Sequence, residues 1–182
     1  MASLPQYHRQ VELDGEAYIN VYSRGTTWLG QELSHFTLRR FMHPELGYFD
    51  SVEGLWYFLR TGDDSLRYLS GFEAKKVGRE LPLAQPQLPE AEFRRLINMG
   101  NEAKIRQHPD LLEALGASSL PLTHFYVTKG FGTKPADSEW ILAHLEAIRL
   151  TLNPHADASN TAYLEAKRKE VEQETTMQGS LF

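Results

Sequence analysis

The chain of 182 residues contains no cysteine. That excludes disulfides, thiolate metal sites and a cysteine nucleophile, and it fits a reducing compartment. A surplus of positive charge is also missing, since 19 Lys and Arg stand against 24 Asp and Glu for a net charge of −5. A surface that grips nucleic acid along many phosphates needs clustered cations that displace counterions, so no extended basic face is expected. A local basic rim around one pocket stays open. No stretch reaches the ~18 apolar residues of a membrane span, and the opening "MASLPQYHRQVELDGE" has no apolar leader core. These absences read as a soluble, cytoplasmic protein. The histidines (His8, His35, His43, His108, His124, His144 and His155) show no close spacing with acids of the kind that holds a metal. A phosphate-cradling glycine motif and a G-x-S-x-G nucleophile turn are likewise missing. No metal or redox cofactor is implied.

What remains is an ordinary globular composition, 41% hydrophobic and 24% charged, without internal repeats. "AYINVYS" (17–23) alternates as a half-buried strand does, and "RGTTWLGQE" reads as a loop broken by two glycines. "LSHFTLRRFMHPELGYF" predicts an extended pair turning at 43–47, followed by a helix from about Ser51 to Arg60 that Thr61-Gly62 stops. One or two short helices follow over 63–81, then a proline-rich connector (82–90). Ala91, Phe93, Leu96, Ile97 and Ile105 mark a helix beginning near Pro89, and "HPDLLEALGAS" a shorter one closed by Gly116. "LTHFYVT" (122–128) predicts a strand and "KGFGTKP" a tight glycine loop. The stripe Trp140, Ile141, Leu145, Ile148 and Leu152 gives a helix over 138–152, ended by Asn153-Pro154. Beyond it the chain turns polar, which predicts a charged helix over roughly 160–174 and a flexible end. The expected organisation is an N-terminal arm (1–14), a mostly helical α+β domain with a small antiparallel sheet (15–154), and a charged tail (155–182).

Within "FDSVEGLWYFLR" (49–60), Glu53 has two readings. With Asp50 as N-cap it stands at the third helical position, the acid of a capping box that also gains from the helix dipole. Alternatively it faces a pocket. Val52, Leu55, Trp56 and Leu59 share the core face, while Glu53, Tyr57 and Arg60 line the adjacent one, as the wall of a polar site would. Arg side chains suit bidentate oxyanion contacts, so Arg60 and Arg79 are anion candidates; Lys75 and Lys76 are weaker, being a solvated pair on a short helix. Trp28, Tyr48, Tyr57 and Phe131 offer aromatic faces to a ligand, although core or rim packing is the ordinary role of each. His35 is a second acid/base, a substrate contact or a plain loop histidine.

The order of segments resembles the NADAR family, small α+β proteins linked to NAD and ADP-ribose metabolism, from about Ala17 to Leu152. "INVYS" (19–23) resembles the family's opening strand, "ELSHFTLRRF" its S-N-F segment, and "DSVEGLWYFLR" its S/T-x-E-H-Y-x-Q-x-x-K helix. "AKKVGRE" (74–80) is similar to its A-x-x-x-G-R turn and "NEAKIRQHPDLLEALGAS" to its long K-F-x-Q helix. "LTHFYVTKGFG" stands where the family has a strand and a W-G loop, and "WILAHLEAIR" where it has its last helix. Glu53, Ser34, Phe36, Gly78, Arg79 and Gly132 match, whereas His35, Gly54, Tyr57, Arg60, Thr128 and Phe131 depart. The resemblance implies hydrolysis of an N-glycosidic bond in an ADP-ribosylated guanine or a related ribosylated base. Glu53 would be the catalytic carboxylate, with Ser34, His35, Tyr57, Arg60, Arg79, Trp28 and Phe131 around the substrate. The departures keep a binding module without turnover as the alternative.

The chain ends "QGSLF", which resembles the short peptide that docks on bacterial sliding clamps. In that reading Leu181 and Phe182 fill an apolar pocket, and Gln178 sets the register by hydrogen bonds.

Overall fold

A computed structural model describes residues 11–128, 131–133 and 137–154, with Phe131 and Thr133 described as backbone only. The N-terminal arm up to residue 10, the charged helix and Gln178, Leu181 and Phe182 lie outside these residues. The architecture is the expected α+β one, mostly helical. Its order is β1 (Ile19–Asn20), α1 (Trp28–Leu33), β2 (Phe41–His43), β3 (Gly47–Phe49), α2 (Val52–Thr61), a 3₁₀ turn (Asp64–Tyr68), α3 (Gly71–Glu80), α4 (Glu90–Gln107), α5 (Pro109–Ala117), β4 (Leu122–Thr123), β5 (Tyr126–Thr128), β6 (Phe131–Thr133) and α6 (Glu139–Leu152). β2 and β3 pair antiparallel, as do β5 and β6, while β1 and β4 form a short parallel ladder with Ile19 opposite Leu122. Among the described residues no helix is long and apolar enough to cross a membrane.

The long helices form where apolar periodicity and end chemistry agree. α4 carries Glu90 and Glu92 in its first turn and Lys104 and Arg106 in its last, matching the helix dipole at both ends. Its apolar face serves two clusters. Leu96, Ile97 and Ala103 join Phe41, Phe49, Val52, Leu55 and Leu59, while Ile105 joins Ile19, Val21, Leu33, Leu111, Leu115, Leu142, Leu145 and Ile148. α4 is thus a spine shared by both halves of the core.

Three expectations change. The stretch read as a loop contains α1, because Thr27 Oγ1 accepts from Gly30 N at 3.0 Å and caps it. Gly30 is not a loop breaker; a Cβ there would lie 2.2 Å from Asn20 O, so the helix needs glycine to approach β1. The strand expected over 122–128 divides into β4 and β5, which pair with different partners. α5 closes on Ser118, and Gly116 instead lies against Leu152, 3.2 Å from where its Cβ would be.

Candidate active site

α2 begins one residue later than a capping box at Asp50 requires. Ser51 is the N-cap, its Oγ accepting from Gly54 N at 2.9 Å, which puts Glu53 at the second helical position. Asp50 is occupied elsewhere, accepting from Arg40 Nε at 3.1 Å and from the Tyr48 hydroxyl. The Glu53 carboxyl has no hydrogen bond or ion pair among the described residues and lines a cavity of about 270 Å³. Burial raises its pKa to about 7, with the positive charges of Lys75 and Arg79 pulling the other way. The helix dipole alone would favour the carboxylate; desolvation outweighs it here.

Five sequence candidates share this cavity: Glu53, Tyr57, His35, Ser34 and Arg79. Two others do not. Arg60 lines a separate groove with Gln87, Phe93 and Trp140, and Trp28 is 46% exposed with the Arg39 guanidinium over its ring at 5.4 Å. The acid, phenol and guanidinium expected on one face of α2 are therefore split, because Tyr57 turns inward onto α3 while Arg60 stays outside. A Cβ at Gly78 would come within 2.1–2.4 Å of the Tyr57 side chain, so glycine is what lets α3 close over that residue. The cations then come from α3 itself, where Lys75 and Arg79 stand one turn apart. Lys75, read from the sequence as a solvated lysine, lines the cavity with its Nζ 5.5 Å from the centre of the Phe36 ring. The Phe131 side chain lies outside the described residues.

The segment carrying Ser34 and His35 is held from two sides. Lys104, fully buried on α4, donates to the carbonyls of Glu32, Leu33 and Ser34 at 2.9–3.1 Å. Its three protons meet three acceptors at the end of α1, while burial pulls its pKa down to about 7 against the charge of Glu32. Next along, the His35 carbonyl accepts from Glu53 N at 2.9 Å, tying the loop to the start of α2. The His35 ring takes a 3.1 Å contact from Asn101 Nδ2 to its Nε2. Burial and the Lys104 charge lower its pKa to about 3, so His35 is a neutral imidazole and supplies no proton near neutral pH.

Two walls were not legible in the sequence. Trp56 stands 6.0 Å from the His35 ring, edge-on to Phe93 at 4.7 Å, and joins the cavity to the outer groove. Across from it Tyr22, His124 and Tyr126 form a cluster with centroids 5.2–6.4 Å apart. Asn20 sets that cluster, donating to Phe125 O and accepting from Phe125 N, each at 3.0 Å. At the rim Asp137, at a φ of 55°, accepts from Arg94 Nη2 at 2.6 Å. The only sequence signal for these groups was aromatic residues at alternate strand positions, which core packing explains equally well. Among the described residues no group of His, Asp and Glu is placed to hold a metal ion.

No protein-family model matches the chain, and no curated protein does. One solved structure, the NMR structure of the E. coli protein YbiA, matches with a TM-score of 0.57 at 19% sequence identity. The match covers 75% of this chain and 84% of YbiA. At that identity the likeness concerns the fold, and the fold is the one that the segment order led us to expect. The chain has the fold of YbiA, a NADAR-family protein, in a divergent sequence.

Proposed function

We propose that the cavity hydrolyses the N-glycosidic bond of a ribosylated base, with ADP-ribosylated guanine as the leading substrate. One observation carries the proposal: Glu53 is a buried carboxyl without a hydrogen bond or ion pair among the described residues, lining an open cleft, with a pKa of about 7 and two cations on the facing helix. A carboxyl poised near the working pH is effective in proton transfer, and a partly desolvated carboxylate acts more strongly on a developing cation than one in bulk water. As the C1′–N bond breaks, its electron pair leaves with the base nitrogen, which takes up a proton. The ribosyl centre becomes oxocarbenium-like and the Glu53 carboxylate stabilises it. Water then adds to C1′ and gives its proton to Glu53, which passes it on to the departing base nitrogen and returns to the carboxylate. Lys75 and Arg79 hold substrate phosphate, and the aromatic pair Tyr22 and Tyr126 offers a stacking face for the base. The cavity falls just below the ~300–1,000 Å³ typical of ligand clefts, so the reacting end of the substrate would occupy it and the remainder would extend through its open mouth.

The test is release of free ADP-ribose from guanine-ADP-ribosylated DNA and nucleosides, comparing wild type with Glu53→Gln. We expect the substitution to lower release by about 10²–10⁴-fold. Wild-type release should rise with pH through an inflection near 7, because the base must be unprotonated. No release by the wild type, with ADP-ribose still bound equally by both proteins, would establish a binding module in its place.

A further inference from the structure

Asn101 is completely buried, yet only half of its amide is used: Nδ2 meets His35 Nε2 at 3.1 Å, and Oδ1 has no partner among the described residues. As placed, one amide N–H and Oδ1 lack partners; the reversed amide would leave both N–H groups unmatched, and an orphaned buried N–H is tolerated less well than an under-satisfied carbonyl. The amide therefore donates, and His35 Nε2 accepts. A neutral imidazole that accepts at Nε2 carries its proton on Nδ1. Nδ1 has no hydrogen bond among the described residues, and the ring lines the cavity that holds Glu53. The ring is also fixed in place, between the Lys104-bound end of α1 and the amide of Glu53, and beside Trp56. The charges facing it are Lys104 and His124, both of which disfavour a second proton.

We propose that Asn101 makes His35 a hydrogen-bond donor through Nδ1, and that the pocket thereby selects ribosylated heterocycles presenting a carbonyl oxygen over those presenting an amino group. The selection rests on the base entering the cavity assigned above, but it does not require turnover. A carbonyl accepts the Nδ1 proton. An exocyclic amino group turns a second donor toward it and leaves both unsatisfied in a desolvated site. Asn101 touches no ligand in this account and acts as a positioning residue.

Two measurements test this on the full chain. Long-range ¹H–¹⁵N spectra of the histidine rings should show His35 protonated at Nδ1 between pH 5 and pH 8, and Asn101→Leu should release it toward the Nε2–H form. Calorimetry with inosine 5′-monophosphate and adenosine 5′-monophosphate should give the 6-oxo ligand about a tenfold advantage in the wild type, falling to parity in Asn101→Leu. An Nε2–H tautomer in the wild type, equal affinities, or no binding of either nucleotide at millimolar concentration overturns the proposal. Should Asn101→Leu fail to fold, the wild-type spectrum and affinity ratio still decide. If both hold while no glycosidic bond is cleaved, the hydrolase reading falls and the selection stands.

Discussion

Glu53 leaves a signature in stability as well as in catalysis. Its carboxyl titrates near 7 in the folded chain, against 4.5 for an unperturbed glutamate, so the folded state binds its proton more tightly than the unfolded state does. Between those two values the unfolded chain releases the proton first, and stability falls as pH rises. The penalty is absent below about pH 4 and complete above about pH 8, where it reaches about 3 kcal/mol. Glu53→Gln removes the charge and with it the penalty. Urea unfolding should therefore find the variant more stable than wild type at pH 8 and the two close together at pH 4. A constant difference across that range would mean that the carboxyl is not desolvated.

At the scale of elements, the pairing of α2 with α3 decides which cations reach the site. The two helices close because Gly78 offers no side chain to the buried Tyr57, and that closure presents Lys75 and Arg79 beside Glu53. Gly78→Ala would drive a methyl group to within 2.1–2.4 Å of the Cβ, Cγ and Cδ1 of Tyr57, atoms close to the α2 backbone that cannot swing away as a flexible chain end does. The expected cost is about 1–3 kcal/mol from overpacking, read as a lowered urea midpoint. An unchanged midpoint would show that α3 can slide without loss. Gly54 meets a similar constraint, since a Cβ there would sit 2.3 Å from Leu66 O. Glycine is required there because the 3₁₀ turn packs directly on the helix.

Across the whole molecule, the site depends on joining segments distant in sequence. Asn20 reaches Phe125 through two buried hydrogen bonds spanning 105 positions, and β1 and β4 pair beside them. Asn20→Ala removes both bonds and leaves the Phe125 amide and carbonyl unmatched, which should cost about 2–4 kcal/mol. Hydrogen exchange at the Phe125 amide should accelerate well beyond that of the α4 core. Exchange that stays as slow as in wild type would place the restraint on His124 and Tyr126 elsewhere.

The sequence by itself determined the helices with a regular apolar stripe, α2, α4 and α6, and it put Glu53 and Tyr57 one turn apart on α2. Local spacing and end chemistry suffice for that. It also fixed the β2–β3 hairpin, whose turn residues lie between two apolar runs. Only the tertiary structure decided that Arg79 and Lys75 join Glu53 while Arg60 faces another groove, since periodicity gives the angle of a side chain around its helix and not what packs opposite. The same limit hid Asn101 and Lys104. Nothing local in "NMGNEAKIRQ" marks them, and they become buried holders of the His35 loop only when the end of α1 is brought onto the Lys104 ammonium and the Asn101 amide. The position of α2 was local information to within one residue, whereas the protonation of Glu53 was not, because desolvation is set by everything that surrounds the carboxyl.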